Sequence, residues 1–176
     1  MRKLLIISCA ILLVASLLGC DQHSPKNQVE KHYDQLVPLV VKARKDLDNL
    51  YGIPDKLICP INQTEYINKL KQNFTLQQDA LKNVNVPDSF GNEWSLAQQW
   101  FSQGPQMFDI SADIEIEENL AALEKLRDNF YAAKYKELDL YNQFTNAYNA
   151  KMTALGFGEY NWWREWHYYK GWRDFN

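Results

Sequence analysis

"VEKHYDQLVPLVVKARKDLDNL" occupies residues 29–50, and its spacing decides the fold. The positions Val29, Tyr33, Leu36, Val40, Ala43, Leu47 and Leu50 follow one another at intervals of 4-3-4-3-4-3. On a helix this series makes one apolar stripe, the seam by which a helix packs in a bundle. A strand would need alternation with period two, and no such run competes. Pro38 lies inside the stretch. It has no N–H for the carbonyl of Asp34, so a kink or a split is predicted there. Tyr51-Gly52-Ile53-Pro54 ends the helix with a Gly and a Pro.

The same rhythm recurs along the chain. Asn62 and Glu65 have the spacing of a capping box, and Ile67, Leu70, Phe74, Gln77, Leu81 and Val84 repeat 3-4-3-4-3, with Gln77 the polar intruder. That intruder raises the question of a small ligand held inside the bundle. Asp88 is placed to cap a third helix, with Phe90, Trp94, Ala97 and Phe101 on its seam. Gly104-Pro105-Gln106 is expected to stop it. The acids Asp113, Glu115, Glu117 and Glu118 read as the charged first turn of a fourth helix. That reading is preferred to a metal site. From Asp113 to Leu155 this helix would run about 42 residues, or about 63 Å. A seam slip falls near Ala132-Ala133, and Gly156-Phe157-Gly158 ends it. The expected fold is all-α, an antiparallel bundle of about four unequal helices, with a short aromatic C-terminal helix over 159–175.

The beginning of the chain has a different grammar. Arg2 and Lys3 precede an apolar stretch from Leu4 to Leu18, too short to span a bilayer comfortably. It closes on Leu17-Leu18-Gly19-Cys20. This segment resembles the lipobox of bacterial lipoproteins. The resemblance covers the first twenty-one residues and implies processing: cleavage before Cys20 and acylation at Cys20. Asp21 resembles the signal that retains such proteins in the inner membrane. The implied site is the periplasmic face of the inner membrane, with the outer membrane as the second option. The domains expected are a signal peptide over 1–19, a lipidated Cys and flexible tether over 20–28, and a helical domain over 29–176.

Without residues 1–19, which carry Arg2 and Lys3 and no acid, 17 Lys+Arg face 22 Asp+Glu, a net charge of −5. Nucleic acid is a poor partner for such a surface, because phosphate neutralisation needs clustered cations. Cys9 leaves with the signal and Cys20 carries lipid, so Cys59 is the lone thiol, read as a small buried hydrophobe or as one half of an intermolecular disulfide.

Residues 159–175, "EYNWWREWHYYKGWRDF", hold eight aromatic side chains. On a helix Trp162, Trp166, Tyr168, Tyr169, Trp172 and Phe175 share one side, and Trp163, Arg164, His167 and Lys170 take the other. Three roles follow: closing the bundle, contacting a partner or the membrane headgroup zone, or stacking on glycan rings. Chemistry has little to work with. Nucleophile elbows, phosphate loops and His-Glu-x-x-His are missing from the sequence, and His23, His32 and His167 do not pair at helical spacing. No metal and no cofactor beyond the lipid on Cys20 are expected, and no enzyme. The expectation is a non-catalytic, membrane-anchored interaction protein with an envelope protein as partner. Trp162, Trp163, Trp166, Tyr169 and Trp172, with the neighbouring loop Gly104 to Ser111, would form its contact surface. The second expectation is a peptidoglycan- or polysaccharide-binding module using the same tryptophans.

Overall fold

The computed structural model describes residues 24–53, 63–158, 160 and 162. Four helices make up an all-α bundle: α1 (Pro25–Tyr51), α2 (Thr64–Ala80), α3 (Gly91–Ile116) and α4 (Leu120–Ala154). Short 3-10 turns at Leu81–Asn83 and Asp88–Phe90 lie between α2 and α3. Side-chain pairs establish the direction of each helix. Asn85, after α2, donates its N–H to Gln35 Oε1 near the start of α1 at 2.7 Å. Lys71 of α2 pairs with Asp109 of α3. Trp100 of α3 reaches Glu137 of α4, and Tyr51 at the end of α1 meets Phe130 early in α4. Each helix is therefore antiparallel to the next, and α4 closes on α1. One end of the bundle carries Ser24, Asn85 and Gly156. The other carries Tyr51, Gln63 and Ile116.

The seam read in residues 29–50 is the buried stripe of α1. Val29, Leu36, Val40, Ala43, Leu47 and Leu50 are buried, and Tyr33 is half-buried. The helix starts four residues before that seam. Ser24 accepts a hydrogen bond from the Asn27 N–H at 3.3 Å, and Pro25 occupies the first turn, where its missing N–H costs nothing. Residues 25–28 are thus helix rather than tether. Pro38 does not split α1, which continues through it; Pro38 and Asp34 are exposed, so water can meet the carbonyl that loses its helical donor.

The larger correction concerns α3. It does not stop at Gly104-Pro105-Gln106 but continues to Ile116. Pro105 leaves the carbonyl of Phe101 without its helical donor. Gln78, reaching across from α2, supplies that donor: its Nε2 lies 3.2 Å from the Phe101 oxygen. Gly104 is required for a related reason. A Cβ there would fall 2.1 Å from Cζ of Phe74, so the bare backbone lets the ring pack against α3. The buried stripe accordingly runs from Phe90, just before α3, through Ala97, Phe101, Gly104, Phe108 and Ser111 of α3. The supposed loop from Gly104 to Ser111 is helix, with Gly104, Met107, Phe108 and Ser111 buried.

The acidic cluster moves with the boundary. Asp113 and Glu115 sit in the last turns of α3, and Glu117 and Glu118 lie in the link before α4. Glu115 accepts the Gln63 N–H at 3.0 Å, so a side chain from α3 caps α2. Asn62 lies outside the described residues, and Gln63 is the residue before the helix. Asn119 caps α4 by accepting from the Ala122 N–H at 3.1 Å. Helix α4 is continuous for 35 residues. It ends in a Schellman arrangement: Gly156 has φ +82°, its N–H meets the Thr153 carbonyl at 3.0 Å, and the Phe157 N–H meets Met152 at 2.9 Å.

Candidate functional site

The aromatic segment returns against the bundle directly after the Gly156 turn. Asn149 of α4 holds it by three hydrogen bonds. Its Oδ1 accepts the Tyr160 N–H at 3.1 Å and the Trp162 indole N–H at 3.0 Å, and its Nδ2 donates to the Tyr160 carbonyl at 3.0 Å. Trp162 is 6% exposed and lies edge-on to Phe144, Tyr148 and Tyr160. Tyr160 meets Tyr33 of α1 with ring centroids 5.5 Å apart. Trp162 is therefore part of the core and not a free contact residue. Trp163, Trp166, Tyr169 and Trp172 lie outside the described residues, as do Cys20, Asp21 and Cys59. The residue that roots the segment, Asn149, carries no sequence signal beyond its place on α4 facing the return.

Midway along the bundle sits an ionic centre that the apolar pattern does not reveal. Arg44 of α1 donates to Asp48 through Nη2 at 2.8 Å and Nε at 3.3 Å, and through Nη1 to both oxygens of Glu137 at 2.9 and 3.2 Å. The Tyr51 hydroxyl donates to Glu137 Oε2 at 2.6 Å, and the Trp100 indole N–H donates to Oε1. Glu137 is wholly buried, and the Arg44 guanidinium lies 4.9 Å from the Tyr141 ring centroid. Burial by itself lowers the pKa of Arg44, but Glu137 and Asp48 outweigh it and the pKa rises. Burial first, then Glu137, pushes Tyr51 up, so its proton stays on as a donor. Both carboxylate oxygens of Glu137 are occupied by donors, which leaves no free lone pair facing a substrate. The centre joins α1, α3 and α4 at one level. A hint lies in the spacing: Glu137 falls four residues after buried Ala133 and seven before buried Phe144, on the core stripe.

Toward the Ser24 end is a second polar centre, differently built. His32 is wholly buried, and its Nδ1 lies 2.7 Å from the Asn85 carbonyl oxygen. A carbonyl only accepts, so Nδ1 carries the hydrogen and Nε2 is an acceptor. Phe90, Trp94 and Tyr148 surround the ring, at centroid distances of 4.9, 6.2 and 6.0 Å. Burial lowers the His32 pKa, against smaller raising effects from Asn85 and Glu93. Among the described residues His32 Nε2, Glu93 Oε2 and the Tyr148 hydroxyl have no hydrogen-bond partner.

Other candidate features resolve simply. Gln77 is half-buried and its amide donates to the Asn73 carbonyl of its own helix at 3.4 Å. A cleft of about 140 Å³ opens near the other end, between Leu50, Ile67, Phe130 and Lys134. Among the described residues no group of three or more His, Cys, Asp or Glu is placed to hold a metal ion. No described helix is long and apolar enough to cross a membrane. Ile116 and Leu120, at the α3–α4 link, are 68% and 69% exposed, and Tyr135 on α4 is 69% exposed. No family model, no curated protein and no solved structure matches this chain.

Proposed function

We propose that this chain is a non-catalytic lipoprotein that presents a rigid helical bundle to another protein of the cell envelope, from the periplasmic face of the inner membrane. The observation that carries the reading is the junction at the start of the chain. Leu17-Leu18-Gly19-Cys20-Asp21 is followed, three residues after Asp21, by the capped start of α1. An acylated Cys20 would therefore hold a stiff body at the bilayer rather than a body on a long leash. Two or more acyl chains anchor a protein stably where one does not. The internal centre of Arg44, Asp48 and Glu137 suits such a body, since it opposes sliding between helices. The partner's footprint is assigned to Trp163, Trp166, Tyr169 and Trp172. No cofactor is assigned beyond the lipid. The glycan-binding reading has one ring fewer at its disposal, because Trp162 is spent in the core.

Co-purification from detergent-solubilised membranes, with mass spectrometry of the Cys20 peptide, tests the proposal. An acylated Cys20 and a stoichiometric protein partner are expected in the inner-membrane fraction. A bare thiol or an uncut leader ends it. Retention on insoluble peptidoglycan without any protein partner would favour the glycan module instead, and recovery in the outer-membrane fraction would move the address.

A further inference from the structure

We propose that the cleft between the first turns of α1 and the Gly156 turn binds a quaternary ammonium ion, an organic cation of the choline type. The proposal goes beyond the function given above and does not depend on Cys20. The cleft encloses about 360 Å³, within the roughly 300–1,000 Å³ of small-ligand clefts. Glu30, Tyr33 and Asp34 of α1 line one side, and Met152, Phe157 and Tyr160 line the other. Its walls are rings. Tyr33 and Tyr160 meet edge to face, with centroids 5.5 Å apart and planes at 79°, so the pair forms a corner. Both are half-buried, as is Phe157, and each keeps part of its surface open. Positive φ at Gly156 and Gly158 turns the chain back toward α1. Asn149 then pins Tyr160 through its N–H and its carbonyl.

Charge selects the occupant. The lining residues include two carboxylates and no Lys, Arg or His. Glu30 and Asp34 stand four residues apart on α1 and so share a face. Lys26 lies 3.8 Å from Glu30, but both side chains are largely in water and the pair offsets little of that charge. One turn before Met152 on α4, the wholly buried Tyr148 hydroxyl has no hydrogen-bond partner among the described residues. Tyr33 and Asp34, both in the cleft wall, are the residues whose charge acts on it, so this oxygen is aimed toward the cleft. A metal ion fits poorly, because no group of three or more His, Cys, Asp or Glu among the described residues is placed to hold one. A primary ammonium needs acceptors for three N–H groups, and both carboxylates lie at the exposed rim. A quaternary ammonium has no N–H to satisfy. Its methyl groups rest on ring faces, and its charge is drawn to the ring quadrupoles and the two carboxylates.

The test titrates the full chain, purified in a non-ionic detergent, with choline and with its neutral carbon isostere dimethylbutanol, by calorimetry and saturation-transfer NMR. Saturable choline binding is expected, about tenfold or more tighter than the isostere, since the two differ in charge and hardly in shape. Tyr33→Leu removes one wall of the corner and should weaken choline binding about tenfold, whereas Tyr33→Phe keeps the ring and should stay within about threefold of wild type. Glu30→Gln combined with Asp34→Asn, both on exposed side chains, should weaken it about threefold and flatten its salt dependence. Should Tyr33→Leu fail to fold, Tyr33→Phe and the acid pair decide. Absence of saturable choline binding by the wild type overturns the proposal. Equal affinity for the neutral isostere also overturns it, because the cleft would then take any apolar body. Choline affinity that survives both Tyr33→Leu and the acid pair overturns it as well, by placing the cation elsewhere. None of these results bears on the acylation of Cys20 or on the protein partner, neither of which enters the titration.

Discussion

Two buried polar centres, set twelve residues apart on α1 at His32 and Arg44, show what burial demands. Around Arg44 every charged atom described has a partner, and the donors and acceptors of three helices interlock. Around His32 one hydrogen bond serves a shell of aromatic rings, while Nε2, the Tyr148 hydroxyl and Glu93 Oε2 stand without partners among the described residues. Desolvation acts on both. In the first, neighbouring charges and donors outweigh it, and in the second they do not. The first centre should therefore hold the fold against change, and the second should be the one that feels pH.

The largest effect is expected at Glu137. Glu137→Ala leaves the Arg44 charge buried with Asp48 alone and should cost about 3–5 kcal/mol in urea unfolding. Arg44→Met combined with Asp48→Leu and Glu137→Leu should recover part of that loss, because the apolar set leaves no charge buried without its counter-ion. If the triple variant is no better than Glu137→Ala, the centre is not the coupled unit described here. Tyr51→Phe should follow at about 1.5–3 kcal/mol, since it removes a hydrogen bond to a charged acceptor. Its counterpart Tyr148→Phe should lie within about 1 kcal/mol of wild type, as no partnered hydroxyl is lost. Equal costs for the two tyrosines would erase the contrast.

The pH dependence sharpens it further. The folded-state pKa of His32 lies below its ordinary 6.5, so the unfolded chain takes the proton first. Its contribution is fully present above pH 6.5 and is lost as pH falls below that value. Asp46 has the opposite sign. Burial, ahead of lowering effects from Asn73 and Lys45, pushes its carboxyl up to about 6. Stability from Asp46 is present below pH 3.8 and is lost as pH rises through about 6. Thermal melts in an Asp46→Asn background should therefore isolate the His32 slope, a fall in Tm on acidification from pH 7 to pH 5. His32→Leu in that background should flatten it. A slope that survives both substitutions belongs to other groups.

The smallest expected effect concerns the break in α3. Gln78→Ala strips the Phe101 carbonyl of its borrowed donor and should cost about 1 kcal/mol. It should also speed amide exchange around Pro105 more than elsewhere in the helix.

Much of this fold was legible in residue spacing. The stripe of α1 and the core positions Ile67, Leu70, Phe74 and Leu81 were readable because apolar burial repeats at the helical period. The turn at Gly156 was readable because only Gly adopts its backbone conformation readily. The course of α3 was not. Gly and Pro side by side are the local mark of a stop, and the cancelling facts, a donor from Gln78 and the Phe74 ring over Gly104, come from another helix. The acids at 113–118 misled in the same way, since their place at a helix start or end depends on where α3 finishes. Arg44 and Glu137 were passed over because a charged residue on a seam reads as an interruption until its partners are found 93 positions away.

By itself, then, the order of residues determined that the chain is helical, which faces the helices bury and where two of them end, because those properties follow from local periodicity and backbone freedom. Only the tertiary structure decided which charges lie inside, that α3 continues through its proline, and that Trp162 belongs to the core. Each of these depends on a hydrogen bond or a ring contact between segments far apart in the chain, and no local rule carries that information.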